Sequence, residues 1–507
     1  MEVAVLSGMT RRLLLAALLA LAAPAPALER RSCPPGINDT PAMPVHFKQA
    51  DILRMPFAQV FALGQRIFIT DFNACDGAGR PGTTGGVTPR TLDPAAGPRF
   101  TRLSAPEANS CAGCHSQPQS GGAGDFVANV FVLAQNAIPV SGTLLNPDFT
   151  QTWLERNTLG MFGSGAIELL GREMTRDLLA LKSQAISRAA SSGKNTTVAL
   201  LTKGVSFGVL NAHPDGSVDA SAIIGVDADL VVKPFSRKGM MRSVREFSVN
   251  AFNQHHGMQA VERFGQDTDP DQDGIVNELL VGDVTAASVF QEALPLPVRA
   301  PADGSGMTIA HGEQLFNRVG CTTCHVPALP LDDTLFCDPD PQNPASGPFA
   351  TLNDTSQSYC FDLRQTSGLR DHMVAAYTDL KRHVICDASK PHFCNEPAAP
   401  LQTSDTLQRV PNDQFLTAKL WDVGDSAPWG HRGDLDTIYA AIVAHGGEAA
   451  GSEADFEHLS AADQSAIVAF LKTLVMPILA NDPNPQQTGS PPAFGGFHAR
   501  RAQEGSD

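Results

Sequence analysis

Two shortages in this 507-residue chain exclude whole classes of protein. Lys and Arg number 37 against 53 Asp and Glu, which leaves a net charge of −16. That balance argues against nucleic acid or an anionic membrane surface as the partner. No apolar run is long enough to span a bilayer, so we expect no membrane span. The 42% apolar content is that of an ordinary globular protein, and the length allows two to four domains.

The first 27 residues have the pattern of a secretory signal peptide. Arg11 and Arg12 precede a short apolar run from Leu13 to Ala23, and an Ala-Pro-Ala sequence ends at Ala27. A charged start, a short apolar centre and a small-residue cleavage site are typical of export signals. The sequence therefore predicts a signal peptide at residues 1–27 and a periplasmic mature protein.

Two short motifs indicate the chemistry. Cys-Thr-Thr-Cys-His occupies residues 321–325, and Cys-Ala-Gly-Cys-His occupies residues 111–115. C-x-x-C-H is the attachment sequence of c-type haem, in which both thiols form thioethers and the histidine binds iron. A zinc knuckle would need a second pair of ligands nearby, and a redox dithiol does not need the histidine. We therefore expect two covalent haems. The residues that would hold them are Cys111, Cys114, His115, Cys321, Cys324 and His325.

Six further cysteines lie outside these motifs. Their even number agrees with an oxidising compartment, and they are Cys33, Cys75, Cys337, Cys360, Cys386 and Cys394. The sequence cannot fix how they pair. Proximity along the chain favours Cys386–Cys394, Cys337–Cys360 and Cys33–Cys75.

An acidic segment near the middle of the chain resembles a calcium loop. Carboxylates stand at Asp269, Asp271 and Asp273, followed by glycine and then Glu278. Alternating carboxylates and a turn-forming glycine suit Ca²⁺, although the glutamate comes too early for a complete EF-hand. The alternative is an acidic, solvated turn.

The order of predicted elements divides the chain. We expect an N-terminal domain at residues 28–294 with a small β-hairpin insertion at 196–232, a linker at 295–306, a C-terminal domain at 307–480 and a disordered tail at 481–507. Helical spacing is predicted around residues 60–68, 173–190, 242–258, 309–316 and 460–474. Residues 336–405 are predicted to be loops held by disulfides. The fold is therefore expected to be mainly α, with long loops.

The motif order resembles a known family. The first C-x-x-C-H is followed by Gly-Met-Phe-Gly-Ser-Gly-Ala-Ile-Glu at residues 160–168. The second is followed by Leu-Trp-Asp-Val-Gly at 420–424, Pro-Trp-Gly-His-Arg-Gly at 428–433 and Ala-Ile-Val-Ala-His-Gly-Gly-Glu-Ala at 441–449. This arrangement is similar to the bacterial di-haem oxidoreductases, also called thiol oxidoreductases, which are relatives of the di-haem cytochrome c peroxidases. The resemblance implies two cytochrome-c-like haem domains.

The same resemblance implies roles for four residues. His445 would be the sixth ligand of the C-terminal haem, and His256 would be that of the N-terminal haem, with His255 and Met258 as alternatives. Glu168 would be the catalytic acid–base, with a pKa raised by an apolar setting. His383 would line a substrate pocket or bond a haem propionate.

These assignments predict a periplasmic di-haem oxidoreductase of the peroxidase type. One haem would receive electrons from a small carrier, a cytochrome c or a cupredoxin, and the other would reduce peroxide or a related small-molecule oxidant. The alternative is a bis-histidine electron-transfer protein without substrate chemistry. A third possibility is oxidation of a partner protein.

Overall fold

The structure is a computed structural model. It describes residues 29–30, 32–33, 39–79, 110–124, 127–131, 153–270, 273–301, 306–340, 358–394, 410–411 and 413–479. The predicted signal peptide, the predicted tail and Asp271 lie outside this part of the chain. Within it, no helix has the length and apolar character needed to cross a membrane.

Helices form most of the regular structure that the described residues contain. They are α1 (Gln49–Ile52), α2 (Phe57–Ile69), α3 (Ser164–Ser192), α4 (Val244–Ala251), α5 (Val261–Phe264), α6 (Val281–Glu292), α7 (Gly306–Arg318), α8 (Leu363–Thr366), α9 (Ile438–Val443), α10 (Ala450–Glu457) and α11 (Ala461–Leu471).

The strands are short and pair mostly in twos. They are β1 (Glu29–Arg30), β2 (Val45–His46), β3 (Val127–Phe131), β4 (Trp153–Asn157), β5 (Thr196–Thr202), β6 (Val205–Ala212), β7 (Val218–Asp219), β8 (Val298–Arg299), β9 (Leu329–Pro330), β10 (Leu335–Asp338), β11 (Tyr359–Asp362), β12 (Met373–Val374), β13 (Arg382–Val384), β14 (Gln414–Leu416) and β15 (Leu474–Val475). The antiparallel pairs are β1–β2, β3–β4, β8–β15, β9–β12, β10–β11 and β13–β14, and β5–β6–β7 form one three-stranded sheet.

Helix α3 starts earlier than the periodic pattern predicts. It begins after Gly163, whose φ of 74° is easy only for glycine, and it ends at Gly193. Its first ten residues are almost wholly buried, so they carry no polar face from which a period could be read. The β-hairpin predicted after it is confirmed as β5 and β6, and β7 adds a short third strand.

The C-terminal part is built on two crossing helices. A Cβ placed on Gly312 of α7 would lie 2.0 Å from the Ala466 carbonyl oxygen of α11, so only glycine allows this approach. Ser460 caps α11 by accepting a hydrogen bond from Asp463 N at 3.1 Å, as the capping pattern predicts. Leu474 belongs to strand β15 instead of continuing the helix, which corrects the predicted spacing.

The predicted linker and insertion are more structured than expected. Strand β8 inside the linker pairs with β15 at the end of the C-terminal part. Strands β10 and β11 from the insertion contribute Phe336 and Phe361 to the same buried cluster as Ile167 and Leu170 of α3. The predicted insertion therefore shares a buried cluster with the N-terminal part, whereas α7 and α11 pack in a separate cluster. All three disulfide pairings favoured by proximity are present, namely Cys33–Cys75, Cys337–Cys360 and Cys386–Cys394.

Candidate functional site

Both C-x-x-C-H motifs adopt the same local turn. Each starts as one turn of 3-10 helix, and the second cysteine has φ −107°, ψ −41° at Cys114 and φ −106°, ψ −46° at Cys324. The histidine N–H donates back to the first cysteine carbonyl in both, at 2.9 Å in His115 and 3.0 Å in His325. None of the four motif cysteines takes part in a disulfide. The spacing thus produces a compact turn that presents two thiols and an imidazole together.

A carbonyl oxygen orients each motif histidine. His115 Nδ1 lies 2.9 Å from Leu159 O, and His325 Nδ1 lies 3.0 Å from Tyr377 O. A carbonyl can only accept, so the proton must be on Nδ1, and Nε2 of the neutral ring is the atom able to bind a metal. Burial lowers the pKa of both His115 and His325 to about 4, which keeps the rings neutral.

His445 faces His325 across the second motif. The two ring centres are 6.5 Å apart, and His445 Nδ1 lies 2.7 Å from Ala441 O, which again leaves Nε2 for a metal. Bonds from imidazole to metal are about 2 Å, so two rings on opposite sides of one ion have centres roughly 6 Å apart. Burial lowers the pKa of His445 as well. The residues present therefore fit an iron held by two histidines.

The first motif has two histidine neighbours from one short π-helical turn, Phe252–His256. His256 Nε2 lies 3.7 Å from Cys111 Sγ, and its ring packs on Phe72. Burial first, and then the charge of nearby His115, lower the pKa of His255 to about 4. The structure thus places both candidate histidines beside the first motif, as predicted, and the assignment of His256 as the ligand stays a prediction.

The two alternatives to haem attachment, a redox dithiol and a zinc knuckle, gain no support. Burial raises the pKa of Cys111 and of Cys321 to about 12, whereas a redox dithiol needs a lowered thiol pKa. Within the described part of the chain, one set of three ligating side chains comes within 4.8 Å, and it comprises Cys324, Asp379 and His383. Cys324 is also the second thiol of a haem motif, so a structural zinc site is not the simpler interpretation.

Glu168 lies in the first turns of α3 and is fully buried. Its Oε1 accepts a hydrogen bond from Arg172 Nε at 3.0 Å, and its Oε2 accepts one from Val244 N at 2.7 Å. Burial raises its pKa, against the opposing influence of Arg172. The raised pKa agrees with the prediction. The predicted apolar setting is wrong, because the surroundings are a group of charged side chains.

The charged group around Glu168 joins three parts of the chain. Arg245 of α4 donates to Glu262 and, at 2.6 Å, to Asp338 of β10. Glu292 at the end of α6 is fully buried, and neither of its carboxylate oxygens has a hydrogen-bond partner in the described residues. Burial, together with the nearby Asp338 and Glu168 carboxylates, raises the Glu292 pKa well above its usual value. A buried carboxyl with a raised pKa therefore lies near Glu168.

The acidic loop is not assembled as a calcium site in the part that the structure describes. Asp269 accepts hydrogen bonds from Asp273 N and Gly274 N, at 3.2 and 3.0 Å. Glu278 is buried and accepts from Gln259 N at 2.6 Å. Asp269 thus bonds the backbone of its own loop and Glu278 bonds the backbone of Gln259, and calcium binding stays a prediction.

Sequence reasoning missed a group of cations between the two motifs. Lys238 is 1% exposed and lies 3.9 Å over the Phe415 ring, and Arg237 has a buried Nε without a hydrogen-bond partner in the described residues. Burial lowers the pKa of Arg237 to about 10 and lowers that of Lys419, and Asp422 partly opposes both shifts. Arg237 and Lys238 are far from Lys419 in the chain and belong to no motif, so no sequence signal could have grouped them.

Residues 421–422 lie against the loop that orients the first histidine. A Cβ on Gly163 would come within 2.3 Å of the Trp421 ring, and one on Gly160 would come within 2.4 Å of Asp422 Oδ2. Gly160 follows Leu159, whose carbonyl holds His115. On the other side, the backbone of Ala418 is within hydrogen-bonding reach of the His325 ring. The segment 418–422 therefore lies between the two haem motifs.

Comparison with known proteins supports this chemistry in part. No protein-family model matches the chain. Over 205 residues, 39% of this chain, it is 30% identical to Cytochrome-c peroxidase IdrP2 of Pseudomonas sp. (strain SCT). The likeness indicates a haem-based oxidoreductase in general. The chain spans about half, 48%, of the length of that relative.

A solved structure of Kuenenia stuttgartiensis hydrazine synthase, pressurised with 20 bar xenon, is also similar. The likeness covers 93% of this chain and 100% of that one, with 12% identity and a TM-score of 0.35. At this score it does not establish a common fold.

Proposed function

We propose that the protein is a periplasmic di-haem c-type oxidoreductase that reduces peroxide or a related small oxidant with electrons from a small carrier. The observation that supports it best is that different side chains surround the two motifs. His325 faces His445 across a gap suited to one iron, whereas residues 161–162, which pack with Cys111 of the first motif, lead directly into the helix that carries Glu168 and its buried charges. One site suits electron exchange, and the other suits chemistry.

When bound, haem supplies reversible iron redox chemistry at both motifs. At the second motif His325 and His445 would hold the iron, and Tyr377 O and Ala441 O fix the tautomers of these two rings. Ring orientation fixed by such carbonyls is typical of histidines that bind metals. An iron bound by a histidine on each side would suit the entry of electrons. The net charge of −16 would attract a basic electron carrier.

At the first motif the chain supplies the means to move protons. Reduction of one peroxide takes two electrons and two protons and yields two waters, so an acid–base group is needed. Met161 and Phe162 pack with Cys111 beside the first motif, and the helix that follows carries Glu168. The raised pKa of Glu168 and the Glu292 carboxyl beside it suit donation and return of a proton near neutral pH.

The cations between the motifs would suit the edge of a haem that carries its two propionates. Arg237 and Lys419 are partly buried and have Asp422 as a nearby carboxylate. Buried positive charge is costly unless it is paired, and haem propionates would pair it. Trp421, 2% exposed and between the motifs, is well placed as a relay for electrons.

Turnover by the purified protein carrying both haems tests the proposal. Reduced small cytochrome c is mixed with hydrogen peroxide and the enzyme, and its oxidation is followed by absorbance. We expect turnover in the wild type, and Glu168→Gln to lower kcat by about 10²–10⁴-fold through loss of proton transfer. Glu173→Gln on the same helix is the control, because that buried carboxylate holds the backbone of Asp332 instead; its kcat should be near that of the wild type.

The alternative function is electron transfer alone, with both irons bound by two histidines. It is favoured by the two histidines, His255 and His256, beside the first motif. Electron paramagnetic resonance separates the two functions. A high-spin signal in the oxidised or half-reduced protein supports the peroxidase proposal, whereas low-spin haems in every redox state without peroxide turnover would refute it.

A further inference from the structure

A bridge of three side chains connects the two sides of the second haem motif. His383 Nδ1 lies 2.8 Å from Glu448 Oε2, and His383 Nε2 lies 2.8 Å from Asp379 Oδ2. Carboxylates only accept when ionised, so both ring nitrogens donate and the imidazole is cationic. His383 is therefore occupied on both sides, and the predicted role in bonding a propionate does not match its contacts.

Each end of this bridge lies close in sequence to a residue that orients or provides one of the two histidines of the second motif. Asp379 is two residues beyond Tyr377, whose carbonyl orients His325 at 3.0 Å. Glu448 is three residues beyond His445. One hydrogen-bonded chain, Asp379–His383–Glu448, thus runs from the segment that orients the proximal histidine to the segment that carries the distal one.

The segment after His445 depends on this attachment. Glu448 Oε1 also accepts from Val384 N at 2.8 Å, so the carboxylate holds both the side chain and the strand of β13. The backbone at Gly446 and Gly447 packs closely against β13 and the residues that follow it. A Cβ on Gly446 would be 2.4 Å from Asp387 Cβ, and one on Gly447 would be 2.3 Å from Val384 O. The Cys386–Cys394 disulfide then fixes the strand's continuation.

The bridge also lies against the covalent attachment point. His383 Nδ1 is 4.0 Å from Cys324 Sγ, and His383 is 8% exposed. Burial opposes the charge on His383, but the bonds to Asp379 and Glu448 outweigh it and raise the pKa to about 10. Helix α9 is only six residues long, so it offers little rigidity of its own to hold His445 against iron.

We propose that His383 is a positioning residue that, through Glu448, keeps His445 in place as the sixth ligand of the second haem. This rests on the proposed function, in which His445 is that ligand. His383 itself binds no iron, because both of its nitrogens are occupied. Without the bridge the loop at 446–448 is released from β13, and the iron gains a population without its sixth ligand.

The test compares spin states in the oxidised protein carrying both haems. His445→Ala first defines the high-spin signal of the second haem. We expect His383→Ala and Glu448→Ala each to raise that same signal at least fivefold over the wild type. The double variant should exceed neither single variant, because both remove one connection. Glu448→Gln, which keeps an oxygen acceptor of the same shape, should recover most of the low-spin signal.

His311→Ala is the matched control. His311 also bonds a carboxylate, Asp463 at 2.7 Å, in the same part of the chain, but it is exposed; its spectrum should equal that of the wild type. Haem content per chain is measured by mass, and His383→Gln replaces His383→Ala if the latter loses haem.

Two outcomes would overturn the inference in distinguishable ways. Wild-type spectra for the His383 and Glu448 variants, with a high-spin signal in His445→Ala, would refute the bridge and leave the ligand assignment intact. A wild-type spectrum in His445→Ala itself would refute the ligand assignment on which both proposals rest.

Discussion

The histidines of the two C-x-x-C-H motifs show how a single backbone contact sets the chemistry of a side chain. His115 and His325 each donate Nδ1–H to a carbonyl 44 or 52 residues further along the chain. This leaves the same nitrogen, Nε2, as the atom able to bind a metal in both motifs. The sequence predicts which histidines bind iron, because the C-x-x-C-H spacing is local. It cannot predict the partner carbonyls, because backbone oxygens at such distances carry no sequence signal.

At the same scale, Asp425 should make stability depend on pH. Burial raises its pKa to about 7, and its Oδ1 has no hydrogen-bond partner in the described residues. A carboxyl with a raised pKa in the folded state binds more protons than the unfolded chain between about pH 4 and 7, so stability falls as pH rises through that window. Asp425→Asn, still able to accept from Met476 N, should remove this fall.

Urea unfolding of the wild type and Asp425→Asn at pH 4.5 and pH 7.5 measures the effect. We expect the variant to gain about 1–3 kcal/mol relative to the wild type at pH 7.5, since each pKa unit corresponds to about 1.4 kcal/mol. Equal pH dependence in the two proteins would mean that Asp425 is not the responsible group.

Among the elements, the crossing of α7 and α11 fixes the position of the second motif. Helix α7 leads directly into Cys321, and Phe316 and Phe470 stack across the crossing with ring centres 5.6 Å apart. The helical pattern at 309–316 predicts α7 well, because its apolar face is periodic. The crossing point at Gly312 is not readable from that pattern, since glycine also occurs where nothing is packed.

A substitution at this crossing should be costly. In Gly312→Ala the new Cβ would press on the Ala466 carbonyl, and we expect a loss of about 1–3 kcal/mol from overpacking. Gly451→Ala in α10 is the control, because nothing lies within 4 Å of its Cβ position; it should be neutral or slightly stabilising. Thermal unfolding of both variants measures the difference, and equal melting temperatures would contradict the proposed close contact.

At the scale of the whole molecule, the second half of the chain is built into the first. Strand β10 brings Asp338 into the group formed by Arg245, Glu262 and Glu168, and Arg172 donates to the carbonyl of Cys337 at 3.0 Å. The Cys337–Cys360 disulfide holds this hairpin together. The predicted insertion therefore covers the candidate catalytic carboxylate instead of forming a peripheral loop.

Arg245→Met should weaken the contact between the two halves of the chain and lower the free energy of unfolding. The change leaves Glu262 and Asp338 buried without their cation, so we expect a loss of about 3–5 kcal/mol. Arg364→Met is the matched control, because the Arg364–Asp362 pair lies at the surface; its free energy of unfolding should hardly change. Chemical denaturation at neutral pH measures both. Similar losses in the two variants would show that the buried network is not what joins the halves.

The sequence by itself determined the features that depend on neighbours along the chain. These are the two C-x-x-C-H turns and the cap at Ser460, each of which closes over a short separation. Proximity along the chain favoured the three disulfide pairings without fixing them. Only the tertiary structure decided the Asp379–His383–Glu448 bridge, the charges around Glu168 and the cations between the motifs. Such contacts join side chains far apart in sequence, and their formation depends on how buried surfaces meet, for which residue spacing provides no signal.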